Sequence, residues 1–288
     1  MPRSADELKE LLDLETIDLN LFRGTQPDTM LQRVFGGQVA AQALVAGART
    51  VEAPRSVHSL HSYFLRPGDT AVPIVYDVER IRDGRSFSTR RVVARQHGRA
   101  IFYLTASFQV PEDGFEHQDV MPQVPSPEEA LDLGEMFRRR SPKRADEWVR
   151  EWAALELRYI GDSRPGGAIP GDERPAQSRL WLRVGGKLGD DPLLHLAAFT
   201  YASDMTLLGS ALVPHGTHIN HPSVQSASLD HTIWFHRPFR ADEWVLYDQV
   251  SPSASGARGL AIGRVFTEDG RLVASVAQEG LIRPRETS

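Results

Sequence analysis

Residues 61–67, HSYFLRP, return in type at residues 232–238 as TIWFHRP, and the turn HGR at 97–99 returns as DGR at 269–271. Around each copy the elements follow one order: a strand, an apolar helix, then four strands. A chain written twice in this way folds as two like modules related by pseudo-symmetry. A duplicated pair keeps its site at the interface, and one copy suffices to carry the chemistry. The pattern predicts an α+β protein with an N-terminal module at 1–113, a connector at 114–152 and a C-terminal module at 153–288.

Taken in order, residues 4–15 read as a short amphipathic helix and ETIDLNLFRG as strand. FGGQVAAQALVAGART, residues 35–50, is rich in alanine and free of proline, which favours helix. Strands follow at VHSLHSYFL, PIVYDVERIRDG, FSTRRVVARQHG and RAIFYLTASFQV, with hairpin signals at Asp83-Gly84 and His97-Gly98. The connector is dominated by Pro, Glu and Arg and carries one exposed helical piece, SPKRADEWVREW. ALELRYIG and SRLWLRVGG resume the strand pattern around the Gly/Pro loop RPGGAIPGDERP, and a helix is expected over 192–213. SVQSASLDHTIWF and three further strands close the chain.

The two helices differ where it matters. The first has no acidic residue. In the second, Asp204 shares a face with Ala197, Tyr201, Met205, Leu208 and Leu212. A carboxylate in an apolar stripe must be paired, hydrogen-bonded or neutral, because an isolated buried charge is very costly. Near the end of the last strand Gln278 stands where the first module has Ala106 or Ser107, so polar groups gather in the second module.

Several chemistries fall away on composition. With no cysteine among 288 residues, disulfide frameworks, thiolate metal sites and Cys nucleophiles are excluded. A formal net charge of -5 gives no footing for a general nucleic-acid binder, so the partner is a small molecule or another subunit. The charged N-terminal stretch lacks a signal-peptide core, no run approaches the roughly 18 apolar residues of a membrane helix, and RPRETS carries no address of the Ser-Lys-Leu type. A cytoplasmic protein is the expectation.

Ser228, Asp230 and His231 resemble a hydrolase triad on paper, but strand alternation sends His231 to the opposite face, and no Gly-x-Ser-x-Gly elbow occurs. His215, His218 and His221 have helical metal spacing, yet Pro214, Gly216 and Pro222 make the segment a loop. No phosphate-loop or dinucleotide fingerprint is present. The arginines from Arg80 to Arg99 and from Arg258 to Arg264 read equally as a polyanion site or a solvated sheet face.

FGGQVAAQAL, HSLHSYFLRPGD, YASDMTLLGSAL, SLDHTIWFHRPFRADEWVLYD, SPSASGARG and LVASVAQEG, in this order, resemble the TesB-type acyl-CoA thioesterases (acyl-CoA thioesterase II) over nearly the whole chain. The resemblance implies a double hot-dog fold, in which each module is a long helix wrapped by an antiparallel β-sheet. It also implies hydrolysis of acyl-CoA to fatty acid and coenzyme A, with no cofactor or metal and a homo-oligomeric assembly. The family's catalytic set carries over to Asp204, Ser228 and Gln278, with Ser228 in place of the more familiar Thr. Alternation puts Ser228 away from Leu229 and Ile233, so reaching Asp204 requires a bulge or a strand end. His58, in HSLH, reads as structural or as a substrate contact; Arg66, Arg237 and Arg258 are candidates for coenzyme A. A non-hydrolytic acyl-CoA binder is the alternative. A hydratase would need an Asp and His paired on the helix, and none is seen.

Overall fold

The structure, a computed structural model, describes residues 1–140, 142–171 and 176–285. The first half comprises α1 (Ala5–Leu12), a hairpin of β1 (Glu15–Asp18) and β2 (Leu21–Gly24), α2 (Gly36–Ala48), and the strands β3 (Ser56–Phe64), β4 (Ile74–Asp83), β5 (Phe87–Gln96) and β6 (Arg99–Gln109). A short β7 (Leu131–Asp132) and two helices, α3 (Leu133–Arg140) and α4 (Pro142–Glu151), follow. The second half runs β8 (Leu155–Asp162), β9 (Gln177–Val184), α5 (Pro192–Ser203), a 3₁₀ segment (Leu207–His215), β10 (Val224–Ser228), β11 (Asp230–Phe235), β12 (Val245–Ser255), β13 (Arg258–Thr267) and β14 (Leu272–Pro284).

Among the described residues the strands make one antiparallel sheet in the order β1-β2-β4-β5-β6-β3-β11-β14-β13-β12-β9-β8-β7, with β10 beside β14. The two halves meet at β3 and β11, where His61 faces Thr232 and Leu60 faces Ile233. Alternating burial along β5, β6, β13 and β14 turns one side of the sheet toward the helices. There α2 and α5 pack together, and one core runs through both halves. α2 is buried on nearly every side, which explains why its sequence is apolar all round. At His97-Gly98 both residues adopt positive φ, the conformation of a tight hairpin turn.

Four expectations need correction. The helix expected over 192–213 stops at Ser203: residues 204–206 form a turn, and a 3₁₀ segment follows. Thr200 and Ser203 hydroxyls both donate back to carbonyls of their own helix, to Leu196 at 2.8 Å and Thr200 at 3.0 Å, a bond that competes with regular helix. The same stretch, Pro192–His215, is long and apolar enough to cross a membrane, contrary to expectation, but 72 % of its most apolar window is buried in the fold, as befits a core helix. The connector holds two helices rather than one, because the polar run LGEMFRRR also coils. Finally, Arg90 belongs to neither a polyanion site nor a solvated face. It is 1 % exposed and donates to the Thr50 hydroxyl, the Thr50 carbonyl and Asp83 beyond the C-terminus of α2. Residues 141, 172–175 and 286–288 lie outside the described residues, and with them the start of the connector helix, part of the Gly/Pro loop and the end of RPRETS.

Candidate functional site

Asp204 occupies the position just past α5, where the chain leaves the helix. Its Oδ1 accepts from Gln278 Nε2 at 2.5 Å and from Ser228 Oγ at 3.2 Å, and Gln278 Nε2 also lies 2.9 Å from Ser228 Oγ. The three side chains named from the sequence therefore converge, from a helix end, a strand end and the last strand.

A bulge brings Ser228 into this group. Ser228 pairs with Gly280, and Thr232 with Ala277, so Leu229, Asp230 and His231 stand against only Gln278 and Glu279. The extra residue reverses which face each strand presents, so Ser228 turns to the helix side as His231 and Ile233 do. Asp230 holds the kink by accepting from the Glu279 N–H at 2.6 Å, and the Leu229 N–H donates to the Glu279 carbonyl at 2.9 Å. Asp230 and His231 are therefore occupied elsewhere, the latter 2.8 Å from Ser203 Oγ, and no hydrolase triad forms.

The first half contributes the start of α2. The Gly37 N–H donates to the Asp204 carboxylate, at the positive end of the helix. A Cβ on Gly36 would fall 2.6 Å from Asp204 Oδ2, and one on Gly37 would fall 2.1 Å from the Tyr201 carbonyl oxygen. Only glycine permits this approach. The sequence signal was a Gly-Gly pair opening a helix where no turn required it, and it received no role.

Burial pushes Asp204 up to about 6, against the opposing pull of its bonds to Gln278, Ser228 and Gly37. Burial pushes His231 down to about 3, so this imidazole is neutral. Asp204 and Ser228 lie in a cavity of 400 Å³ lined also by Gly36, Val39, Phe64 and Phe102, with the exposed Arg33 and Arg66 at its rim. Gln278 is fully buried behind them.

Of the four substrate-binding candidates, only Arg66 reaches this cavity; its guanidinium donates to the Ala100 carbonyl at 2.7 Å. His58 and Arg237 line a larger groove of 680 Å³ beside the connector, His58 bonded to Ser107 at 2.8 Å and Arg237 to the Leu272 carbonyl at 2.9 Å. Arg258 pairs with Glu279 at 2.9 Å. The larger groove holds none of the converging trio, so the smaller cavity is the candidate site. Among the described residues no three His, Asp or Glu side chains converge as a metal centre.

Comparison with known proteins places the chain in a family. Residues 156–281 match the acyl-CoA thioesterase family model, and residues 25–109 match the acyl-CoA thioesterase N-terminal domain. The chain is 41 % identical to acyl-CoA thioesterase 2 of Haemophilus influenzae, covering 96 % of this chain and 97 % of that one. It is 42 % identical to acyl-coenzyme A thioesterase 8 of Homo sapiens, covering 95 % and 88 %. The crystal structure of acyl-CoA thioesterase II TesB2 from Mycobacterium marinum superposes with a TM-score of 0.82 at 46 % identity, covering 97 % and 99 %. A hot-dog protein from Alicyclobacillus acidocaldarius, only 21 % identical but with a TM-score of 0.77 over 97 % and 98 %, shares the fold. Matched over nearly its whole length in both sequence and architecture, the chain belongs to the acyl-CoA thioesterase family.

Proposed function

We propose that this protein hydrolyses fatty acyl-CoA to free fatty acid and coenzyme A, with Asp204 as general base and Ser228 and Gln278 holding the attacking water. The convergence of these three polar groups, with Asp204 and Ser228 lining one cavity and Gln278 bonded behind them, carries the reading. A thioester carbonyl is electrophilic enough for a positioned water, so no covalent nucleophile is needed. Asp204 takes a proton as water adds to the carbonyl carbon; the C–S bond then breaks, and the proton passes to the departing thiolate. A base held near 6 is stronger than an ordinary carboxylate of about 4, yet it is still mostly ionised at neutral pH. The first turn of α2, whose amides have no partners within the helix, lies beside the carboxylate and supplies donors for the developing oxyanion.

We further propose that residues 1–113 and 153–288 are two hot-dog modules joined at 114–152, in keeping with the separate family matches and the β3–β11 seam. Exposed Tyr63, Trp234, Leu260 and Ile262 on the sheet face away from the helices favour a homo-oligomer, and the cytoplasm is the setting we propose. Arg66 and Arg33, at the cavity rim, are the cations placed to meet coenzyme A phosphates.

Incubation with acyl-CoA esters of graded tail length and a thiol reagent is expected to show catalytic release of free thiol. Tight binding without thiol would instead make the protein a binder. Over pH 4–8, kcat/KM should rise through about 6 and then level, because the base must lose its proton to work. A rate independent of pH across that range would remove Asp204 from the role.

A further inference from the structure

Ser203 and Thr206, which bracket Asp204, are both gripped by side chains from the sheet. His231 Nε2, on β11, lies 2.8 Å from Ser203 Oγ; Tyr247 Oη, on β12, donates to the Ser203 carbonyl at 3.2 Å; Gln249 Nε2, also on β12, donates to Thr206 Oγ1 at 2.6 Å. His231, Tyr247 and Gln249 are all fully buried, as is Ser203. Ser203 Oγ donates to the Thr200 carbonyl, so the network assigns the proton of His231 to Nε2 and leaves Nδ1 an acceptor. Ser62, from the first half, fixes the same strand by donating to the His231 carbonyl at 2.7 Å.

None of these groups touches the cavity. His231, Tyr247 and Gln249 act on Ser203 and Thr206, the residues on either side of the place where the helix gives way to the 3₁₀ segment, and Ser62 acts on the strand that carries His231. A helix that ends in an uncapped turn frays, and a carboxylate at its end would sweep across several positions. Here the turn is tied at Ser203 to β11 and β12 and at Thr206 to β12, two strands set apart in the sheet, while the carboxylate itself is tied to β10 and β14.

We infer that His231, Tyr247 and Gln249 are positioning residues that hold the break at Ser203–Thr206 and so aim the Asp204 carboxylate at Ser228 and Gln278. The inference rests on the proposed hydrolysis and names residues that act on its base without meeting substrate. The ionisable groups that face Asp204 are Tyr247 and, across the cavity, Arg33 and Arg66; the last two are left intact by the test below.

Tyr247→Phe removes one hydroxyl and keeps the ring. Gln249→Met keeps the length and removes the amide. Each is expected to lower kcat by about tenfold, with KM changed less than about twofold, and to move the acidic limb of kcat/KM as the carboxylate relaxes from its partners. Thr206→Ser, which keeps the hydroxyl, should hold the wild-type rate, whereas Thr206→Val should fall with Gln249→Met. Combined with Asp204→Asn, neither change should cost anything further, because each acts through the missing base. If Tyr247→Phe does not fold, Gln249→Met and the Thr206 pair give the same reading. A wild-type enzyme that releases no thiol would defeat the proposed function. A wild-type enzyme that turns over, with an inactive Asp204→Asn, a folded Gln249→Met and Thr206→Val at full kcat and an unmoved pH limb, would overturn only this inference.

Discussion

Asp204→Asn is expected to lower kcat by about 10²–10⁴-fold while leaving the fold in place, the range a general base contributes. Asparagine keeps the size of the side chain and the oxygen that accepts from Gln278 and Ser228, but it cannot take a proton from water. The same change carries a stability signature. In the folded chain Asp204 holds its proton up to about 6, while in the unfolded chain it releases it near 4. Between those values the folded state binds more protons than the unfolded one, so stability falls as pH rises through the window. Relative to the Asn variant, the wild type should therefore lose on the order of 2 kcal/mol between pH 4 and pH 7. Chemical denaturation of both proteins at each pH, beside thiol-release rates, checks both statements. Turnover near wild type in the variant would end the assignment of the base.

Gly37→Ala should damage both stability and activity. The added methyl would lie 2.1 Å from the Tyr201 carbonyl oxygen and 2.6 Å from the Phe35 ring, and neither the backbone of α5 nor the packed start of α2 has room to yield. Forced overpacking of this kind costs about 1–3 kcal/mol, and the upper end is expected where the obstacle is backbone. If the helices part, the Gly37 N–H withdraws from the Asp204 carboxylate, and a displacement near 1 Å at such a site can cost about a hundredfold in rate. Gly209→Ala is the matched control, since a Cβ there meets nothing within 4 Å. Equal melting temperatures and rates for the two alanine variants would show that the close approach of α2 and α5 is unimportant.

Much of this was legible in the residues. The repeated aromatic-Phe-x-Arg-Pro turn, the alternation in β3 to β6 and the His97-Gly98 turn placed the strands of the first half, and Asp204 stood out as an acid on an apolar face. What was hidden depends on partners far away in the chain. The apolar period of residues 192–213 continues smoothly through 204–206, and nothing local reveals that Tyr247 and Gln249 hold a turn there. A bulge or strand end at Ser228 is expected, and both occur, but the position of the bulge at Leu229–His231 was not legible, because the group that fixes it, the Glu279 N–H, lies far along the chain. Arg90 looked like its neighbours in an arginine-rich strand; only the fold shows that its side chain turns inward to Thr50. The polar sequence of α3 resembles a loop because that helix is short, only half-buried, and offers just Leu133, Met136 and Phe137 as apolar contacts.

The meeting of α2 with the turn after α5 sets a limit on how far the two halves of the chain can change independently. The acid is encoded in the second half of the chain and the glycines that make room for it in the first. Expressed as separate polypeptides, neither piece would own a complete reaction centre, and co-expression should restore turnover only as far as the pieces reassemble. A centre shared in this way cannot be rebuilt from either half alone.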